Sequence, residues 1–361
     1  MPYVEQVGHV CSSVHTVPIR RSRIADLGHI IRSQFTGRPF LVERDNLAEF
    51  RQLIKHLVSS KSVDVIHADQ LTMAQFALPY AKSAHRNPAL IFDAHNAVWT
   101  IIERMGENVP FFLRWPLMLE TERIKRYEGE IVQDFDVTLA VTEPDRRALV
   151  EANRKNHLVA AAPIRVIPIA VDTIEIQPVG RQAGSLQILT MGTLYYPPNA
   201  DGIRWFIKAV FPLIRSRVPD AKLTIIGKNP PRDFLKLANE PGSGIIITGF
   251  VPQLDPYCAE SALAVIPVRA GGGMRVRILE AFARAMPVVT TTVGLEGIEA
   301  RPGQDVLVAD HPADFADAVV RLLCDNGLQA QLSINGRRLA EAKYDWQVIL
   351  KDLDIVYQQL S

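Results

Sequence analysis

Apolar and polar positions divide the chain into two alternating series. Short apolar runs at 63–67, 89–93, 136–141 and 164–169 are separated by longer stretches with helical spacing, and such alternation predicts a parallel sheet with crossover helices. Residues 177–185, with Pro178, Gly180 and Gly184, lose all periodicity and read as a linker. A second series runs through 186–192, 222–227, 244–249, 263–266 and 306–308. Within it Ile203, Phe206, Ile207, Val210, Phe211 and Ile214 form one helical stripe suited to covering a sheet. A last helix, from about 346 to 359, carries Val348, Ile349, Leu353, Val356 and Tyr357 and needs a surface to cover. The first 60 residues are less regular: a candidate strand near 9–17, a basic knot at Arg20, Arg21 and Arg23, and a helical pattern through 47–57.

The most informative stretch is 265–290, which reads as strand, glycine turn, helix and second strand. Gly271, Gly272 and Gly273 let a ligand approach bare N–H groups, and the helix that follows presents the positive end of its dipole. Arg269, Arg275 and Arg277 add fixed positive charge. Glu280, three residues after Arg277, shares its helix face and can accept hydrogen bonds from paired hydroxyls. Phosphate together with sugar hydroxyls describes a nucleotide. The plainer reading is an ordinary glycine-rich turn followed by an exposed Arg277–Glu280 pair. Other strands of this series also end in glycine, so Gly192, Gly227 and Gly249 are expected to converge with the triple glycine beyond the carboxyl ends of the sheet.

Length and charge narrow the classes. With 361 residues the chain suits two domains, read as 1–177, 178–342 and a returning segment 343–361. Lys plus Arg number 40 against 39 Asp plus Glu, which gives no field to steer a polyanion and argues against nucleic acid as a partner. Cys11, Cys258 and Cys324 fit neither a disulfide framework nor a metal site with paired spacing. No apolar run approaches membrane-spanning length, so a cytoplasmic protein is expected.

The order GTLYYPPNADGIRWF, LTIIGKNPP, IIITGFVPQLDPYCAESALAVIPVRAGGGMRVRILEAFARAMPVVTT and a closing YDW resembles the donor half of the family 4 retaining glycosyltransferases. The likeness is strong over 186–350 and looser over 60–175. It implies an α/β chain of GT-B fold, two facing Rossmann-like domains with parallel sheets. The last helix would cross back onto the first domain. It also implies a nucleotide-sugar donor as substrate, no further cofactor, no metal, and a saccharide or lipid-linked acceptor in cell-envelope or exopolysaccharide synthesis. Glu280 matches the second glutamate of the family's pair, which holds the ribose, while Gly272 stands where the first would be. The pattern looks most like a branch with GGG-T-R-x-K-x-x-E, in which Arg277 replaces a lysine facing the diphosphate. Ala285 replaces the glycine of a following A-x-G-x-P element. Thr193 and Asn199 stand where many members carry an arginine and a lysine, so the donor-binding set becomes Gly192, Asn199, Gly227, Arg269, the three glycines, Arg275, Arg277 and Glu280.

In the first domain the resemblance makes His95 the residue that reaches the transferred sugar, with Asp93, Asn96 and Arg104 on the acceptor side. The family opens with a strand and glycine-rich turn that do not appear before His9, so either the start is misplaced or the first sheet is incomplete and exposes an edge. Two further features compete with bland readings. Asp134-Phe135-Asp136 spells a metal-binding D-x-D but precedes an interior strand. The apolar stretch 110–118, with Arg123, Lys125 and Arg126 nearby, is expected to be core, its alternative being an interfacial element giving peripheral contact with the inner membrane face. Two other functions stay open: a catalytically silent nucleotide-binding protein, and a dehydrogenase, for which a G-x-G-x-x-G turn with a following acidic residue is wanting.

Overall fold

In the computed structural model, residues 2–19, 21–81, 88–107, 110–153 and 163–360 are described. They build two parallel sheets. The first contains β1 (Val65–Asp69), β2 (Ala89–Ala94), β3 (Val137–Ala140) and β4 (Ile164–Val166) in that spatial order. The second contains β5 (Gln187–Met191), β6 (Lys222–Ile226), β7 (Ile245–Gly249), β8 (Leu263–Ile266), β9 (Val288–Thr290) and β10 (Leu307–Val308), ordered β10-β9-β8-β5-β6-β7. Every pairing is parallel. The strand order turns at β5 and β8, the place where an α/β sheet opens a crevice beyond its strand ends.

Each face of the second sheet is sealed. Ile203, Phe206, Phe211 and Ile214 join Phe315 and Leu323 on one side, and Ile278, Leu279, Phe282 and Met286 join Tyr344 on the other. In the first domain the helix Phe111–Asp134 lays Ile124, Tyr127 and Ile131 against Phe92 and Leu149. The opposite face is covered from the far end of the chain. The helix Trp346–Leu360 packs Val356 on Ile91, Val137 and Leu139, and Asp345 anchors the return by accepting from the Thr173 amide (3.1 Å) and hydroxyl (2.5 Å). The segment 177–185 has no regular element, in keeping with its composition.

Two expectations fail. Residues 9–17 form no strand; a short helix, Pro2–Gly8, ends there and Val10 is exposed. Among the described residues β1 pairs with β2 alone, so no partner organises that stretch into a sheet. Within the stretch 110–118 expected to be core, Trp115 and Met118 lie exposed, the core contacts of this 24-residue helix coming from Ile124, Tyr127 and Ile131, while the side chains of 111–113 lie outside the described residues. Its basic flank is engaged by protein groups, Arg123 with Gln34, Lys125 with Glu151 and Arg126 with the Gly37 carbonyl.

Candidate active site

The strand β8 runs into the glycine turn, and the helix Val276–Ala283 follows with no side-chain cap, so its first N–H groups remain open to a ligand. The turn lines a cavity of about 290 Å³ together with His95, Asn96, Tyr196, Asn199, Arg275 and Arg277, so both domains contribute to one space. Gly273 has φ 79°, a left-handed conformation that suits glycine. A Cβ there would also lie 2.2 Å from Asn96 Oδ1, which shows how closely the first domain approaches the loop.

Arg277 donates from Nη1 to the Met191 carbonyl (3.1 Å) and to Asn199 Oδ1 (3.3 Å), and Asn199 donates in turn to the Thr193 carbonyl (3.1 Å). Arg275 turns back on the loop, donating to the carbonyls of Gly272 (2.6 Å) and Gly273. Among the described residues neither guanidinium has a carboxylate partner. Burial lowers the pKa of both, and for Arg277 the charge of Arg275 adds to the effect. Two partly desolvated cations, hydrogen-bonded only to carbonyl and amide oxygens while Glu296 and Glu280 act on them from farther off, favour an anion beside an uncapped helix start. The Glu280 carbonyl accepts from Arg284 Nη1 (3.2 Å) and its carboxylate charge acts on Arg277, but it lies beyond the residues that line the cavity.

Other expected donor residues lie outside the lining of this cavity. Arg269 points away: it pairs with Asp201 (2.9 Å), lies over the Trp205 ring (5.5 Å), and borders a separate depression with Thr292 and Glu296. An exposed carboxylate on the neighbouring helix Pro197–Trp205 captures it, which a reading of the linear motif could not see. Gly192 and Gly227 serve packing. A Cβ on Gly192 would meet Arg277 Nη1 at 2.7 Å, and one on Gly227 would meet the Gly192 carbonyl oxygen at 2.0 Å.

Arg104 is not free for an acceptor phosphate. It makes a two-pronged pair with Glu296 (3.1 and 3.2 Å) and donates to the Gly271 carbonyl (3.1 Å), tying the domains together. Asp136 of the D-x-D accepts from the Leu90 amide (2.7 Å) and so secures the start of β2.

His95 and Asn96 follow β2 in a loop fixed from below. Glu128 accepts from the amides of Val98 (2.7 Å) and Trp99 (3.3 Å), and Asp145 accepts from Ala97 (3.0 Å). Burial pushes Glu128 up to about 8, against the two amide bonds that favour its ionised form, and also raises Asp145. Beside the loop, Asp69 Oδ1 lies 2.6 Å from His95 Nε2. Asp93 Oδ2 lies 3.4 Å from His67 Nε2, and His67 Nδ1 is 2.7 Å from the Tyr357 hydroxyl of the C-terminal helix. Ligand atoms of Asp69, Asp93 and His95 fall within 4.8 Å of one another, a grouping that could also hold a cation.

The sequence reading missed Asp69, His67, Tyr196, Glu128 and Asp145. Glu128 carried a signal, since it sits on the apolar stripe of Ile124, Tyr127 and Ile131 where a carboxylate calls for partners. Asp69 carried none within its own segment, because its meeting with His95 depends on the register of β1 on β2, which sets Asp69 opposite Asp93.

Comparison with known proteins agrees with this architecture. Residues 185–325 match the model "Glycosyl transferases group 1" and residues 9–175 match "Glycosyltransferase Family 4". An uncharacterised 44.6 kDa protein of the cps region of Klebsiella pneumoniae is 25% identical over 172 residues, covering 46% of this chain and 44% of that protein. The match therefore spans less than half of that relative. Among solved structures, a sucrose-phosphate synthase from Thermosynechococcus elongatus superposes with a TM-score of 0.68 at 20% identity, over 89% of this chain and 79% of that one. Anabaena HepE in complex with UDP gives 0.65 at 14% identity, over 85% and 82%. These two likenesses speak for the fold. The chain belongs to the group 1, family 4 glycosyltransferases and has their two-domain GT-B fold.

Proposed function

We propose that this chain moves a sugar from a nucleotide-sugar donor to a saccharide or lipid-linked acceptor during envelope or capsule-type polysaccharide synthesis, with retention and without a metal ion. The observation that carries this reading is the pair of half-buried arginines, Arg275 and Arg277, with no carboxylate in salt-bridge contact among the described residues, beside the uncapped helix start. Preorganised donors at the point where a diphosphate gains charge on leaving lower the barrier to its departure. His95, on the facing domain and lining the same cavity, would hold a hydroxyl of the sugar or acceptor. Solved relatives support the substrate class: HepE was crystallised with UDP-glucose, and a pneumococcal O-GlcNAc transferase with UDP and GlcNAc.

The cps-region relative supports the polysaccharide setting. No helix among the described residues is long and apolar enough to cross a membrane. Exposed Trp115 and Met118 support a peripheral contact with the inner membrane face on the acceptor side.

A thermal-shift screen over nucleotide sugars, followed by transfer assays in EDTA, tests the proposal, because a ligand bound only by the folded state raises its melting temperature. Transfer with retained anomeric configuration in EDTA is the expected result. Abolition by EDTA or an inverted product overturns the mechanism, and binding without turnover favours the catalytically silent alternative.

A further inference from the structure

The pair formed by His95 and Asp69 is more than a surface contact. Both side chains are substantially exposed, 45% and 64%, so packing alone does not fix the imidazole. Its Nε2 sits 2.6 Å from Asp69 Oδ1. An ionised carboxylate can only accept, so Nε2 is the donor, and in a neutral ring this leaves Nδ1 as an acceptor. The carboxylate comes from the end of β1 and the imidazole from just past the end of β2, two strands whose register places Asp69 beside Asp93. Asp93 is held on its other side by His67, which is itself held by Tyr357 from the helix that crosses back from the second domain. The acceptor side thus has a group of neighbouring polar side chains behind His95, which lines the donor cavity.

We propose that Asp69 is a positioning residue for His95. It selects the Nε2–H tautomer, so that Nδ1 can accept a hydrogen bond from a hydroxyl of the transferred sugar or of the acceptor. This proposal rests on the transfer reading for its consequence in turnover, while its structural core is independent of that reading.

Long-range proton–nitrogen NMR on the full chain labelled at histidine reads the tautomer directly, with His95 identified by its loss in His95→Gln. The wild type should show a single Nε2–H tautomer, Asp69→Ala a mixture, and Asp69→Glu a return towards the single form. The thermal shift given by UDP should be the same in all three, reporting an intact fold and donor side. With whichever nucleotide sugar the screen identifies, Asp69→Ala should lower kcat by about tenfold or more while KM moves by less than about threefold, and Asp69→Glu should recover most of the rate. An identical tautomer in wild type and Asp69→Ala, or Nδ1–H dominance in the wild type, overturns the positioning role. So does selective bleaching of the His95 signals by equimolar Mn²⁺, which would assign Asp69, Asp93 and His95 to a cation. A wild type that neither binds nor turns over any nucleotide sugar defeats the transfer reading instead, and the tautomer result stands apart from it.

Discussion

The two sheets of this chain do comparable jobs with different means. The second, six strands wide, is sealed on both faces by apolar helices, and its site rests on short backbone and side-chain bonds close to that core. The first has four strands among the described residues, borrows the helix Trp346–Leu360 to cover one face, and leaves Ile24, Leu27, Ile31 and Phe35 exposed in a row along the helix Arg23–Thr36. Its site loop is held by buried carboxylates, Glu128 and Asp145, and the helix that follows the loop reaches across to the other domain through Arg104 on the Gly271 carbonyl. Apolar packing is indifferent to pH and largely to the partner domain, whereas a scaffold of buried polar groups is sensitive to both.

The largest expected effect lies in the sealed half. Phe282 is fully buried and rests against Gly336 at the centre of the helix packing. Phe282→Ala should cost about 3–5 kcal/mol by urea denaturation, the range for truncating a buried aromatic. A loss below about 1 kcal/mol would show that this core is no better packed than the first domain.

Next comes a dependence on pH confined to the first domain. Unfolded Glu128 releases its proton near the ordinary value of 4.5, whereas the buried group holds it to about 8. The folded state then binds more protons between these values, so the stabilisation present below pH 4.5 is lost as pH rises through 8. The slope is at most about 1.4 kcal/mol per pH unit from this group. Urea titrations at pH 5, 6.5 and 8 should show this fall, and Glu128→Gln should flatten it and be the more stable protein at pH 8. Parallel slopes in wild type and variant would remove Glu128 as the cause.

How much of this was legible in the sequence follows the same division. Strand positions, the linker and the returning helix could be read because apolar periodicity is local, and the candidate anion site could be picked out because its turn, helix start and arginines sit within a dozen residues. Arg269 shows the limit of a linear motif, since Asp201, 68 residues away, turns it out of the cavity. On the acceptor side the pattern failed more often. Asp69 meets His95 through strand register, Arg104 meets Glu296 across 192 residues, and Trp115 and Met118 of the helix Phe111–Asp134 lie exposed where core was expected. None of these outcomes is encoded within one segment.

Arg277→Ala tests the donor half at its chemistry. Removing a charged hydrogen-bonding group from a desolvated anion site costs about 1.5–3 kcal/mol, or roughly 10–100-fold in affinity. Calorimetry should show UDP weakened to that extent and uridine much less, with the melting temperature of the free protein little changed. Equal losses for UDP and uridine would place Arg277 away from the phosphates and end the picture of a preformed anion site on the sealed side.

The smallest effect asks whether the sealed half is itself free of strain. Ala285 has φ 54°, a conformation that a side chain makes unfavourable, in the turn that ends the helix Val276–Ala283. It is held there by the Ala285 amide on the Phe282 carbonyl (2.9 Å) and the Met286 amide on the Ala281 carbonyl (2.9 Å). The strong packing of Phe282 and Met286 on either side keeps the backbone in place despite the penalty. Glycine should relieve it and stabilise the second domain by about 0.5–1 kcal/mol, reduced by the greater entropy of its unfolded chain. A gain seen in thermal unfolding, with UDP binding unchanged, would show that strain is tolerated there because the surrounding core over-determines the turn. No gain would mean that the turn already relaxes in solution, and that the sealed domain is less rigid beside its ligand site than its packing implies.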